Sequence, residues 1–234
     1  MNIRKRLKKW RLMYDFLYTL AVGNSCPDNF KKAGKECQIG ENQTLHPELI
    51  SLDNWSRLQN NNNVIALSGH LLIKKFAAVS SQCIIIPEAH TPTVGLPQFL
   101  SITHINDKIR DIVVNEDAWV GAGCILMSKC EIGRGAIIGS GSIVTKKIPP
   151  YAVALGSPAK IVAVRFSIDQ ILRHEEILYP PEERLSKDFL LDLFAKHFDG
   201  LKTIGTSEIS ENDMIKLERA RQKYGIIDYS KSHL

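Results

Sequence analysis

Among the histidines of this sequence, His90 has the setting that suits a proton acceptor. It stands in the run Glu88-Ala89-His90-Thr91-Pro92, inside a segment that carries Pro87, Pro92 and Pro97. Prolines at that density mark a loop, and long loops on a rigid scaffold are where catalytic groups tend to sit. An imidazole, with an ordinary pKa of about 6.5, can take a proton from a hydroxyl near neutral pH. His104 lies farther along the same loop, where it either shapes an acceptor site or is simply solvated. His46, His70, His174 and His197 have no comparable context and read as structural or surface residues. The five cysteines (Cys26, Cys37, Cys83, Cys124 and Cys130) are odd in number, and no two are spaced C-x-x-C. That pattern argues against a disulfide framework and a zinc knuckle and favours a reducing, cytoplasmic setting.

A loop needs a frame, and the frame is written as a period of six. Val114, Val120, Leu126, Ile132, Ile138 and Val144 are aliphatic at consecutive steps of six, and small residues follow four places later at Ala118, Cys124, Cys130, Ala136 and Ser142. Neither a helix (period 3.6) nor a plain strand (period 2) yields this spacing. One large and one small inward residue per hexad describe a flat wall followed by a tight corner. Three walls close a triangular coil, and stacking such coils sets Val114 under Ile132, Val120 under Ile138 and Leu126 under Val144. Gly121, Gly133 and Gly139 suit corners where neighbouring backbones come close. The register extends upstream through Leu67, Ile73, Val79 and Ile85, with Ala77 and Cys83 at the small position. It breaks after Ile85 and resumes at Ile112 or Val114, so residues 86–112 are expected to be thrown out from the coil as an excursion.

The stretch IGRGAIIGSGSIVTKKIPPYAVALGSPAK (132–160), preceded by AWVGAG (118–123), resembles the hexapeptide-repeat O-acetyltransferases. The likeness is greatest to the maltose, galactoside and xenobiotic acetyltransferases and to those of polysaccharide biosynthesis, and it covers roughly residues 60–165. It implies a mainly β chain wound as a left-handed parallel β-helix, acting as a homotrimer with acetyl-CoA as acyl donor and no metal. It also implies His90 as the catalytic base and a coenzyme groove lined by Ala122 and Ser140, with Thr145 and Lys146 as further contacts. By the same likeness Lys160 lies near the nucleotide phosphates, Arg165 is a second candidate cation there, and backbone N–H groups of Gly121 to Gly123 steady an oxyanion. Trp119 points outward and either walls the acyl site or packs between subunits. Asn60 is either a substrate contact or a corner residue, since asparagine suits left-handed turns. Cys83, Cys124 and Cys130, at inward positions, read as small apolar residues rather than nucleophiles. A metal hydratase on the same solenoid would need three histidines, which the coils lack. A non-catalytic scaffold is the remaining alternative.

The rest of the chain flanks this frame. Residues 1–35 open with Arg4, Lys5, Arg6, Lys8, Lys9 and Arg11, and Ile3, Leu7, Trp10, Tyr14, Leu17 and Ala21 would line one face of a helix. Over residues 1–22 that helix either packs on protein or lies on an anionic membrane surface, at the cytoplasmic face. Residues 36–165 form the β-helix domain. Residues 166–234 read as helices, beginning with a capping box from Ser167 to Gln170, and they cover the solenoid end or join subunits. The 234 residues are 44% hydrophobic and 24% charged, with a net charge of +5. This composition excludes wholesale disorder and gives no nucleic-acid-binding face. No run approaches the roughly 20 apolar residues of a spanning helix. The acceptor expected is a sugar or polysaccharide-precursor hydroxyl, with an antibiotic or other xenobiotic as the alternative.

Overall fold

The computed structural model describes residues 26–41, 46–66 and 68–231, together with Trp10, Met13 and Tyr14. The amphipathic helix expected over residues 1–22 otherwise lies outside the described residues. Trp10, Met13 and Tyr14 are helical and exposed.

Three walls of short parallel strands make a β-helix. Wall one stacks Lys32–Ala33, Ile50–Leu52, Leu71–Ile73, Ile112–Val114 and Glu131–Ile132. Wall two stacks Gln38–Ile39, Arg57–Leu58, Ala78–Val79, Trp119–Val120, Ile137–Ile138 and Ala152–Leu155. The antiparallel strand Lys160–Val164 finishes that edge. Wall three stacks Asn63–Val64, Ile84–Ile86, Ile125–Met127 and Ile143–Val144.

The register is the one the hexads dictate. Val114 pairs with Ile132, Val120 with Ile138 and Leu126 with Val144. The ladders continue downward as Leu52–Ile73–Val114, Leu58–Val79–Val120 and Val64–Ile85–Leu126. Every one of these side chains is 2% exposed or less, and burial of each stabilises the coil by roughly 1.5–3 kcal/mol. The small residues Ala77, Cys83, Ala118, Cys124, Cys130, Ala136 and Ser142 are all buried at corners. Each follows a residue in the left-handed region, such as Phe76, Asp117 or Gly123. Gly121 serves differently: a Cβ there would stand 2.6 Å from the backbone nitrogen of Ser140 in the next coil.

One part of the register differs from expectation. The inward residue of wall three before Ile73 is Val64, nine residues earlier, because three extra residues enter that corner. Leu67 lies outside the described residues. The hexads therefore run on through Val64, Leu58 and Leu52, and the solenoid reaches down to Lys32.

Beyond the coils come α1 (Ile168–Leu178), α2 (Lys187–His197) and α3 (Glu211–Tyr224). The Ser167–Gln170 capping box is formed. Ile171, Leu190, Leu193 and Phe198 join the apolar core of the solenoid, while α3 reaches back along the outside of the corner between walls one and two. There the Trp55 indole N–H donates to the Tyr224 carbonyl at 2.8 Å, and Trp55 stacks on Phe76 at 5.4 Å. The same corner carries an ionic network. Arg165 and His174 both bond the Asp117 carboxylate, at 2.6 and 3.0 Å. Glu175, buried, accepts from Tyr151 at 2.6 Å and from Arg134 at 3.0 Å. Burial opposes ionisation of Asp117, but the His174 hydrogen bond and the Arg165 charge hold its carboxyl below the usual range. Among the described residues no helix is long and apolar enough to cross a membrane.

Candidate active site

After Ile84–Ile86 the chain leaves wall three and returns at Ile112. The stem of this excursion is a two-stranded antiparallel ribbon, with Glu88 opposite Ile109 and Ala89 opposite Lys108. One step further along that register puts His90 opposite Asp107. Their side chains meet: His90 Nδ1 lies 2.7 Å from Asp107 Oδ2, and His104 Nδ1 lies 3.0 Å from the same oxygen. The other carboxylate oxygen accepts the Thr91 N–H at 2.9 Å. That amide bond first, and then the two imidazoles, hold the Asp107 carboxyl below the usual carboxylate range. An ionised carboxylate can only accept, so both Nδ1 atoms donate, and in the neutral form of each ring Nε2 is the acceptor. The ring centroids of His90 and His104 are 5.4 Å apart. Glu88 fixes the root of the ribbon by accepting from the backbone N–H of Ser68, the Ser68 hydroxyl at 3.0 Å and the Gly69 N–H at 2.8 Å.

His90 stands between two open cavities. One, of about 340 Å³, is bordered by Pro92, Lys108, Arg110, Met127, Lys129 and Thr145 as well as the imidazole. The other, of about 300 Å³, is bordered by His46, Ile65, Glu88, His104 and Asp107. The residues picked out in the sequence divide accordingly. Thr145 shares the first cavity with His90, and Lys146 is exposed beside it. Ala122 and Ser140 sit at the corner between walls two and three, joined through the Gly141 N–H to the Ala122 carbonyl at 2.8 Å. Lys160 pairs with Leu155 on the same side of the solenoid. One chain thus carries its candidate base and its candidate coenzyme groove on two different corners, with wall three between them.

Other candidates are engaged inside the fold. Asn60 belongs to the corner of Ala122 and Ser140, and its Oδ1 accepts the Glu41 N–H at 3.0 Å. Asn62, buried beside it, accepts the Cys83 N–H at 2.8 Å. Trp119 is half exposed on wall two and donates to the Ser80 hydroxyl at 3.0 Å. Arg165 is spent on Asp117 and on the Gly135 carbonyl, so it is not a free cation for phosphate. Of the three amides considered as oxyanion donors, Gly121 N–H donates to Ile138 and Gly123 N–H to Ser81. Ala122 N–H is left without an internal acceptor among the described residues. Burial pushes the Cys130 thiol up to about 12, and Cys83 is raised by a hydrogen bond to Cys124 and by burial. Both thiols are buried among the coil's inward residues.

Asp107 is the residue that the sequence reading missed. It lies seventeen positions from His90 in an aperiodic segment, and only the ribbon register brings the two together.

Comparison with known proteins agrees with this geometry. Residues 111–146 match the bacterial transferase hexapeptide family of six repeats. The chloramphenicol acetyltransferase of Morganella morganii is 41% identical over 75 residues, 32% of this chain and 36% of that protein. That of Agrobacterium fabrum is 43% identical over 76 residues, with the same two shares. The chain thus spans little more than a third of the length of these curated relatives. In fold it is similar to a hexapeptide-repeat acetyltransferase from Vibrio cholerae, with a TM-score of 0.53 at 15% identity over 62% of this chain and 80% of the other. The same Vibrio cholerae protein complexed with acetyl coenzyme A gives a TM-score of 0.52 at 16% identity, over 62% and 76%. These neighbours fix the hand of the solenoid as left. With its hexads stacked in register around an aliphatic core, the chain carries the hexapeptide-transferase repeat over residues 111–146 and shares the fold of those neighbours.

Proposed function

We propose that this protein is an acetyl-CoA-dependent O-acetyltransferase that modifies a hydroxyl of a sugar or polysaccharide precursor. The observation that carries this reading is the pairing of His90 Nδ1 with Asp107, which leaves Nε2 as an acceptor beside an open cavity. In the transfer, Nε2 takes the acceptor's hydroxyl proton as that oxygen bonds to the thioester carbonyl carbon. Ala122 N–H is the donor free to stabilise the resulting oxyanion. When the carbon–sulfur bond breaks, the imidazolium returns its proton to sulfur, giving an acetyl ester and free thiol. Thr145, Lys146, Ala122, Ser140 and Lys160 are assigned to the donor, with Lys160 at its phosphates.

Because these groups lie on two corners of one chain, the complete site is assigned to a boundary between copies, as in a homotrimer. The excursion supports this: Val94, Phe99, Leu100, Ile102 and Ile105 expose apolar surface, which marks an interaction face. Trp119 and Asn60 are assigned to the acceptor side of that boundary. In this division residues 36–165 carry the chemistry and residues 166–234 brace the corner opposite wall three, while the basic, amphipathic residues 1–22 serve as a contact with protein or with the cytoplasmic face of a membrane. The chloramphenicol acetyltransferases among the relatives support a second reading, in which the hydroxyl belongs to an antibiotic.

A thiol-release assay with acetyl-CoA against sugars, nucleotide-sugars and chloramphenicol tests both readings. His90→Ala should lower turnover by about 10²–10⁴ and leave acetyl-CoA binding intact. Near-wild-type turnover in that variant removes His90 from the mechanism.

A further inference from the structure

The two cavities beside His90 differ in charge. The residues bordering the larger one include Lys108, Arg110 and Lys129 and no carboxylate, whereas both carboxylates of the ribbon border the other. Lys108 stands at the boundary, since it also borders a further cavity with Glu88 and Asp107, whereas Arg110 and Lys129 border only the one beside His90. The carboxylate that orients the imidazole does not border the cavity that the three cations share. None of the three cationic side chains makes an ion pair among the described residues. Arg134 and Arg165, by contrast, are committed to carboxylates.

Three cations without ion pairs around one cavity set up a positive potential directly beside the candidate base. We propose that this cavity is an anion subsite for the acceptor, so that the hydroxyl acetylated belongs to a sugar bearing a phosphate or a carboxylate. Arg110 offers a planar fork to two oxygens and Lys108 a point charge, holding the anion while His90 takes the proton. The proposal rests on the acetyl-transfer reading and narrows its substrate. Coenzyme A also carries phosphates, but these lie at the far end of the pantetheine arm from the thioester. Within this cavity Thr145 is left to the pantetheine arm near the thioester and the cations beside the base to the acceptor, while Lys160 on the other corner serves the coenzyme phosphates.

The test compares galactose with galacturonic acid, and N-acetylglucosamine with N-acetylglucosamine 1-phosphate. Each is run with acetyl-CoA and with S-acetylpantetheine, which has no phosphate. The wild-type protein should favour the charged member of each pair by about 10- to 100-fold in kcat/KM with either donor, the range expected for hydrogen bonds to charged groups. Added salt should erode that preference. In Lys108→Ala/Arg110→Ala the preference should fall by about tenfold or more, and Arg110→Lys should retain part of it. Calorimetric binding of the same four sugars should show the same ranking without turnover. Equal use of charged and neutral sugars overturns the anion subsite and leaves acetyl transfer standing. A loss in the double variant confined to the KM of acetyl-CoA, and absent with S-acetylpantetheine, overturns it by giving the cations to the coenzyme. Absence of His90-dependent transfer to every acceptor overturns the acetyl-transfer reading and this proposal with it.

Discussion

The coil interior and the excursion use similar residues to opposite ends. In the coil, aliphatics six apart point inward and stack on their counterparts in the next turn, as Ile85 does on Leu126 and Leu126 on Val144. In the excursion the aliphatics Val94 and Ile102 face outward, and the specific contacts are polar ones from Asp107 to two imidazoles and an amide. Stability is concentrated in the first region and candidate chemistry in the second. A repeat whose every turn needs its neighbour has little freedom to place a base, whereas a ribbon leaving the coil can place one at small cost to the core.

Four substitutions bear on that contrast. Leu126→Ala removes an inward wall-three side chain and should cost about 3 kcal/mol, read by urea unfolding. A cost near zero would mean that the stacked ladder is not the source of stability. Asp117→Asn should cost about 3 kcal/mol by leaving Arg165 and His174 facing no charge. The sign of its pH dependence is fixed by the depressed carboxyl. The ion pair's contribution is present above the ordinary value of 3.8 and is lost as pH falls through the lower folded value. The variant should therefore lack part of the wild-type acid-unfolding limb, and an unchanged limb would reassign it. Asp107→Asn should lower turnover by about 10- to 100-fold through loss of the oriented tautomer, with the thermal midpoint unmoved. A large drop in midpoint would make Asp107 a folding residue. Val94→Ala, the coil experiment repeated on the excursion, should change stability by less than about 0.5 kcal/mol, and a cost matching that of Leu126→Ala would erase the distinction.

The legibility of the sequence follows the same division. The pairings of Val114 with Ile132 and Leu126 with Val144 are readable because a coil repeats its local rule, so a residue's neighbour in space stands at a fixed separation in sequence. The hexads at Leu52, Leu58 and Val64 obey that rule too, but three extra residues in one corner shift the phase and hide them from a strict count. The run from Asn60 to Asn63 shows the opposite limit. Residue type permits both a ligand contact and a corner bond, and only the fold shows that Asn60 Oδ1 accepts the Glu41 N–H. Arg165 is similar, since a cation near the coenzyme corner in sequence turns inward to Asp117.

By itself the sequence determined the solenoid, its inward ladders and the excursion between residues 86 and 112. All of these rest on interactions local in sequence or repeated at a constant interval. Only the tertiary structure decided that Asp107 orients both His90 and His104, that Ala122, Ser140 and Lys160 stand on a different corner from His90 while Thr145 stands beside it, and that the last helix runs back to Trp55. Those arrangements join segments at unrelated separations. Each is set by the strand register and packing of a whole surface, which no interval in the chain encodes.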